Sequence, residues 1–329
     1  MINLKYPNFW SKKTWLSSIM IFFSYIYIFL GFIRTQTTKK IVLPQKIICV
    51  GNITLGGSGK TQIVAWLAQK LIQKNISFVI VTKAYKSRLA KVKLVEKTDT
   101  AKEVGDESVM LRKYGSVIAT KKINYALPLI HQINPEIVIL DDGMQNPVLQ
   151  KNLQILTIDS LNGIGNSRIF PAGPLRESLK SGLAKSDLIF MIGNNKCKDS
   201  SLIGNISLSQ RPYFAAAIKL KENLDKDIEY IAFAGIGNPE KFYSLLLENN
   251  LKIKQYMSFG DHHNYSDEEV KKLIDLAKLN NASLITTEKD YVKLANKYKE
   301  LVICARVGLE FENEQKCIDL VYEKLFQKN

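Results

Sequence analysis

With 329 residues, 46% apolar and 23% charged, the chain has the make-up of an ordinary globular protein of one large or two smaller domains. Its net charge of +15 favours anionic partners, but no basic run is interleaved with aromatics, so a nucleic-acid groove is not indicated. The four cysteines (Cys49, Cys197, Cys304, Cys317) form no C-x-x-C pair and lie in or near apolar runs, which argues against a disulfide frame or a zinc site.

The first element is Thr14 to Ile33, 20 residues without a charge. A helix of that length spans about 30 Å, the thickness of a bilayer's hydrocarbon core. Trp10 and Trp15 stand at one end, and Lys5, Lys12, Lys13, Arg34, Lys39, Lys40 and Lys46 flank the two ends. No small-x-small cleavage site follows, so residues 1–35 read as a membrane-associated N-terminal helix. The next run, KIICVG (46–51), reads as a strand, followed by a Gly-rich loop and an amphipathic helix from Thr61 to about Lys74. Strand-like runs recur at 76–82, 116–120, 136–142, 153–160 and 187–193, and again at 231–237, 282–290 and 301–307. Short continuous apolar runs separated by helix-length segments predict an α/β fold: a parallel sheet with helices on both faces over 36–210, of the P-loop type marked by the loop described next, and a second, smaller α/β/α domain over 211–329. The linker falls at about 208–228.

The loop is GNITLGGSGKT (51–61). Thr54 stands where the usual phosphate-loop pattern has its first Gly, but Gly56, Gly57, Ser58, Gly59, Lys60 and Thr61 supply the rest. Backbone N–H groups and the helix N-terminus would cradle phosphates, Lys60 would reach the β- and γ-phosphates, and Thr61 would ligate Mg²⁺. EIVILDDGMQN (136–146) ends a strand in Asp141-Asp142, where carboxylates can meet that metal. GDES (105–108) places Asp106 and Glu107 at a helix start, Glu107 being a further candidate metal ligand. DHHNYS (261–266) holds two of the three histidines, and NSRIFPAGPLRES (166–178) carries Arg168 and Arg176, suited to phosphate. A GTPase base-reading motif is absent: Asn195-Lys-Cys-Lys-Asp199 is one residue too long.

Taken in order, GNITLGGSGKT, GDES, DDGMQN, NSRIFPAGPLRES, FAGIGNPEKF, DHHNYS and TTEKDYVKL resemble the tetraacyldisaccharide 4′-kinase family over nearly the whole chain. That resemblance implies transfer of the γ-phosphate of ATP, with Mg²⁺, to the 4′-hydroxyl of an acylated glucosamine disaccharide 1-phosphate, giving lipid IVA. It implies Asp106 as general base supported by His262, with Asp141 and Asp142 on the metal and phosphate side and Arg176 at the nucleotide. It also implies work at the cytoplasmic face of the inner membrane, against an anionic surface, without an obligate protein partner. Two segments depart from the family pattern. Lys83-Ala-Tyr-Lys86 replaces Arg-Gly-Tyr-Gly, and Asn146 replaces a His. The alternative from another class is a membrane-tethered P-loop ATPase switch acting on a protein partner, which would need Lys60, Thr61 and Asp141 but neither Asp106 nor His262.

Overall fold

The computed structural model describes residues 7–194, 197 and 199–326; Lys5 and most of the Asn195–Asp199 stretch lie outside them. The chain forms two compact units. One comprises residues 1–82, 122–217 and 309–329, the other 83–121 and 218–308. The division expected at 210/211 is therefore drawn differently: the Lys-rich segment 83–121 groups with the second unit, and the C-terminal residues return to the first.

In the first unit, six strands pair in parallel in the spatial order Phe78–Lys83, Ile137–Asp141, Lys46–Gly51, Leu153–Asp159, Leu188–Ile192, Tyr213–Leu220. The centres of the first five are largely apolar and buried, as a sheet covered on both faces requires, whereas Tyr213–Leu220 is only partly buried. Helix Lys60–Gln73 buries seven residues, among them Ile63, Trp66, Leu67 and Leu71. The Trp66 ring N–H donates to Glu314 Oε1 at 2.7 Å and its ring meets Phe311 at 4.7 Å, so the returning C-terminal segment closes over that helix. In the second unit, strands Lys252–Ser258, Glu229–Ala234, Ser283–Thr287 and Val302–Ala305 form a parallel four-stranded sheet in that order. One apolar layer gathers Phe233, Val270, Leu273 and Tyr298; another gathers Ala232, Phe242, Leu246 and Ile285. A short antiparallel pair, Val92–Leu94 with Ser116–Thr120, completes this unit.

The N-terminal helix differs from its expected form. Instead of one helix over 14–33 there are two, Trp15–Ile19 and Ile21–Thr37, parted at Met20. Among the described residues no helix is long and apolar enough to cross a membrane. Ser24 lies one turn after this break. Its hydroxyl contacts the Met20 carbonyl four residues back and donates to the Ile169 carbonyl at 2.7 Å, a back-bond of the kind that bends helices. The burial is inverted with respect to polarity: Ser17 and Ser24 are buried, while Trp15, Phe22, Tyr25, Phe29 and Phe32 are each more than half exposed.

Candidate functional site

The strand Lys46–Gly51 runs straight into the Gly-rich loop, and Asp141 lies beside Val50 on the neighbouring strand. Both strands are parallel, so the loop and the acidic pair leave the same sheet edge, where ligands bind in open α/β sheets. Asn52 sets the loop's shape: its side-chain amide donates to the Gly56 carbonyl at 3.3 Å and the Thr54 hydroxyl at 3.4 Å, while its backbone carbonyl accepts from Gln145 at 2.8 Å. Ser58 faces inward and shares a 2.8 Å hydrogen bond with Thr157, which donates to the Gly51 carbonyl. Gly59 caps the helix at φ +79, and a Cβ there would stand 2.8 Å from the Ile192 side chain, so both backbone and space demand glycine.

Around this loop the expected residues converge. The Thr61 hydroxyl donates to Asp141 Oδ2 at 3.3 Å. Lys60 Nζ lies 3.6 Å from Asp142 Oδ1, and Arg176 Nη1 donates to both Asp142 oxygens at 2.9 and 3.0 Å. Asp142 itself sits at φ +61, a left-handed turn that an Asp tolerates better than most side chains. Arg176 also reaches Gln145 Oε1 at 3.3 Å, a residue that nothing in the DDGMQN sequence singles out. The Asn146 side chain accepts from the Val148 N–H at 2.9 Å, and Lys151 clamps the same turn through the Met144 and Asn146 carbonyls. Arg168, a candidate phosphate ligand, is engaged elsewhere. Its guanidinium donates to Ser17 at 2.6 Å and Ser18 at 3.1 Å, tying its loop to the N-terminal helix. The same loop returns to the nucleotide side, since the Leu55 N–H donates to Pro174 and the Arg176 N–H to Ile53.

In the second unit, Asp106 opens the short helix Asp106–Leu111 but is more than a first-turn acid. Its side chain is 5% exposed and its Oδ2 lies 2.9 Å from His262 Nδ1, while Oδ1 accepts from the Glu107 N–H at 3.0 Å. Burial pushes the Asp106 carboxyl up, but the His262 hydrogen bond and the charge of Lys289 outweigh it, holding the group at about 2. Glu107, the third candidate metal ligand, belongs to this unit, beside Asp106. His262 occupies a left-handed turn at φ +58, its N–H donating to the Gly235 carbonyl at 3.1 Å. Gly235 is held in turn by Asp290, which accepts its N–H at 2.9 Å and pairs with Lys293 at 2.7 Å. His263, by contrast, stacks on Phe259 at 4.9 Å and bonds Glu269 at 3.1 Å, a framework role. Lys289, in the TTEKDYVKL stretch, stands 3.2 Å from His262 Nε2; no pattern in the sequence marks it for that place.

The Lys83–Lys86 segment keeps its turn without the glycines. Lys86 sits at φ +51 and its Nζ donates to the Asp261 carbonyl at 3.1 Å, while the Tyr85 ring meets His262 edge-on at 5.2 Å.

The chain is similar to known proteins over nearly its whole length. Residues 16–325 match the family model described as tetraacyldisaccharide-1-P 4′-kinase. The tetraacyldisaccharide 4′-kinase of Rickettsia bellii is 45% identical over 333 residues, covering all of both chains. That of Rickettsia akari is 44% identical over 332 residues, covering all of this chain and 98% of the relative. Among solved structures, LpxK from Aquifex aeolicus in complex with ATP superposes with a TM-score of 0.75 at 28% identity, covering 94% of this chain and all of that one.

Proposed function

The chain belongs to the tetraacyldisaccharide-1-P 4′-kinase family, and from that premise we propose how its residues divide the work of the reaction. The protein is an ATP-dependent kinase that phosphorylates the 4′-hydroxyl of tetraacyldisaccharide 1-phosphate in lipid A biosynthesis. The switch alternative falls with that assignment.

Asp106 takes the proton of the attacking 4′-hydroxyl. The observation that carries this reading is its buried carboxylate, fixed by His262 at 2.9 Å with one oxygen edge already committed to the ring. A carboxylate held this low is a weak base, which suits phosphoryl transfer, where the hydroxyl loses its proton late. His262 orients the carboxylate and spreads the charge that arrives. On the nucleotide side, Thr54 and residues 56–59 wrap the phosphates with backbone N–H groups, and Lys60 and Arg176 bring two cationic heads to them. Asp142 holds those heads together through its contacts to both. A Mg²⁺ bound here would supply charge neutralisation at the β- and γ-oxygens. The Thr61 hydroxyl and the Asp141 carboxylate, 3.3 Å apart, are hard oxygen donors that fit it.

The paired N-terminal helices lie in the membrane interface on the cytoplasmic side, where ATP is. Their exposed Trp15, Phe22, Phe29 and Phe32 would enter the acyl layer, and Lys12, Lys13, Arg34, Lys39 and Lys40 would meet anionic headgroups. An acylated substrate then reaches the enzyme without leaving the bilayer.

The test is label transfer from γ-labelled ATP to tetraacyldisaccharide 1-phosphate in detergent. Label at the 4′ position that disappears in Lys60→Ala and drops by at least about a hundredfold in Asp106→Asn supports the assignments. Full transfer by Asp106→Asn would remove Asp106 from the role of base. Flotation with anionic vesicles, lost on replacing Phe22, Phe29 and Phe32 by Ser, tests the interfacial reading.

A further inference from the structure

We propose that Lys289 is a positioning residue for the phosphoryl acceptor's base: by donating to His262 Nε2 it fixes the imidazole as the Nδ1–H tautomer aimed at Asp106. The inference deepens the reading of Asp106 as base and rests on it.

Lys289 Nζ stands 3.2 Å from His262 Nε2, 3.8 Å from Asp106 Oδ2 and 3.7 Å from Asp261 Oδ1. An ammonium has three donors and no lone pair. An imidazole nitrogen within its reach must therefore offer its lone pair, which leaves Nδ1 as the carrier of the ring proton. That proton points along the 2.9 Å line to Asp106 Oδ2.

The alternative state is close at hand and is what Lys289 opposes. The ring lies between two acids, with Asp106 on Nδ1 and Asp261 Oδ2 at 3.9 Å from Nε2. Each ring nitrogen therefore has a carboxylate oxygen on its side to which a proton could point. A doubly protonated ring would neutralise Asp106 before the substrate hydroxyl could use it. Lys289 occupies the side where that second proton would sit and contributes a positive charge of its own.

The other groups around the pair support the same state. Burial pulls the Lys289 ammonium down, but Asp106, Glu107, Asp261 and Asp290 together outweigh it and keep Lys289 charged. Lys293 adds a second cation facing Asp106 from the same segment. The Tyr85 ring lies against the imidazole at 5.2 Å, and Lys86 Nζ holds the Asp261 carbonyl at 3.1 Å. Lys289 is thus placed by a short helix, Glu288–Tyr291, whose Asp290 is locked to Gly235, the residue that also fixes the His262 backbone.

The experiment uses the full-length enzyme in detergent, with Lys289→Met and Lys289→Arg. Nitrogen-15 NMR of histidine-labelled protein, assigned with His262→Gln, should show His262 Nε2 as an unprotonated acceptor in the wild type at pH 7. In Lys289→Met the ring should become an imidazolium, and the acid limb of kcat/KM for the lipid should move up by about one pH unit. At pH 7 kcat should fall about tenfold while KM for ATP stays within about twofold. Lys289→Arg, still a cationic donor, should keep the wild-type limb. A protonated Nε2 in the wild type overturns the proposal by itself, whether or not any variant folds. An unchanged limb and unchanged ring signals in Lys289→Met, with activity lost, would leave Lys289 a merely structural residue and equally overturn it. Failure of the base assignment is separable: Asp106→Asn would then retain transfer, whatever the His262 signals show.

Discussion

Gly59 offers a test in which two costs can be separated. In Gly59→Ala the new Cβ meets two separate penalties. The backbone at φ +79 is left-handed, which costs an alanine about 1–2 kcal/mol. The Cβ would also stand 2.8 Å from Ile192 Cδ1 and 2.9 Å from its Cγ2, on a side chain only 2% exposed, an overpacking worth about 1–3 kcal/mol. The expected loss is the sum, about 2–5 kcal/mol. Gly56→Ala is the control: φ there is +116 but nothing lies within 4 Å of the new Cβ, so it should bear strain alone, about 1–3 kcal/mol. The assay is chemical unfolding of both variants, with ATP binding measured alongside. Ile192→Ala leaves a core cavity of its own, worth about 2–5 kcal/mol, but added to Gly59→Ala it should cost about 1–3 kcal/mol less than when added to Gly56→Ala, because the clash is then gone. Equal stabilities for the two single variants, or an equal cost of Ile192→Ala in both backgrounds, would refute the steric half of this reasoning.

Arg176→Ala removes both contacts to Asp142 and the one to Gln145, so KM for ATP should rise about tenfold with little change in melting temperature. The two adjacent histidines should separate cleanly: His262→Ala should lower kcat by about a hundredfold, whereas His263→Ala should leave kcat within about threefold and lower stability by about 1 kcal/mol through the lost Phe259 and Glu269 contacts. Asp106 is held at about 2 against an ordinary value of 3.8, so its stabilising contribution is present above about pH 4 and is lost as the pH falls towards 2. The size is at most about 2 kcal/mol, and denaturant titrations at pH 7 and pH 3 should show a smaller drop in Asp106→Asn than in the wild type. Lys86→Gly should be close to neutral in stability, since relief of the φ +51 strain, about 1 kcal/mol, is offset by glycine's greater chain entropy of similar size; a loss above about 2 kcal/mol would mean that the Lys86–Asp261 contact holds the turn.

The strands were legible where they are buried. Lys46–Gly51, Ser116–Thr120 and Leu153–Asp159 fall within a residue of their apolar runs, because a strand covered on both faces carries nothing else. Lys252–Ser258 was not, being an edge strand whose residues are mostly exposed and whose sequence, KIKQYMS, alternates no more clearly than a loop. The nucleotide residues were legible because glycine, lysine and a strand-end acid have few other reasons to stand at that spacing. Lys289 was not, because TTEKDYVKL carries the family resemblance without assigning its lysines a role, and only the fold brings Lys289 to His262 from 27 positions away.

The N-terminal segment shows what hydropathy alone leaves out. A run without charges reads as uniform, yet its two buried residues are serines and its most exposed are aromatic. Ser24 and Ser17 face the 166–176 loop, the one through Ile169 and the other through Arg168. Trp10 joins them, its ring N–H donating to the Pro171 carbonyl at 2.9 Å. The polar face is thus the protein-facing one, the reverse of a surface helix on a water-soluble domain. That inversion is what motivates the interfacial placement proposed above. The loop that receives the serines is also the one that presents Arg176 to Asp142 and pairs with Thr54 through Leu175. One short stretch of chain therefore seats the N-terminal helix through Ile169 and Arg168 at one end and presents Arg176 to Asp142 at the other.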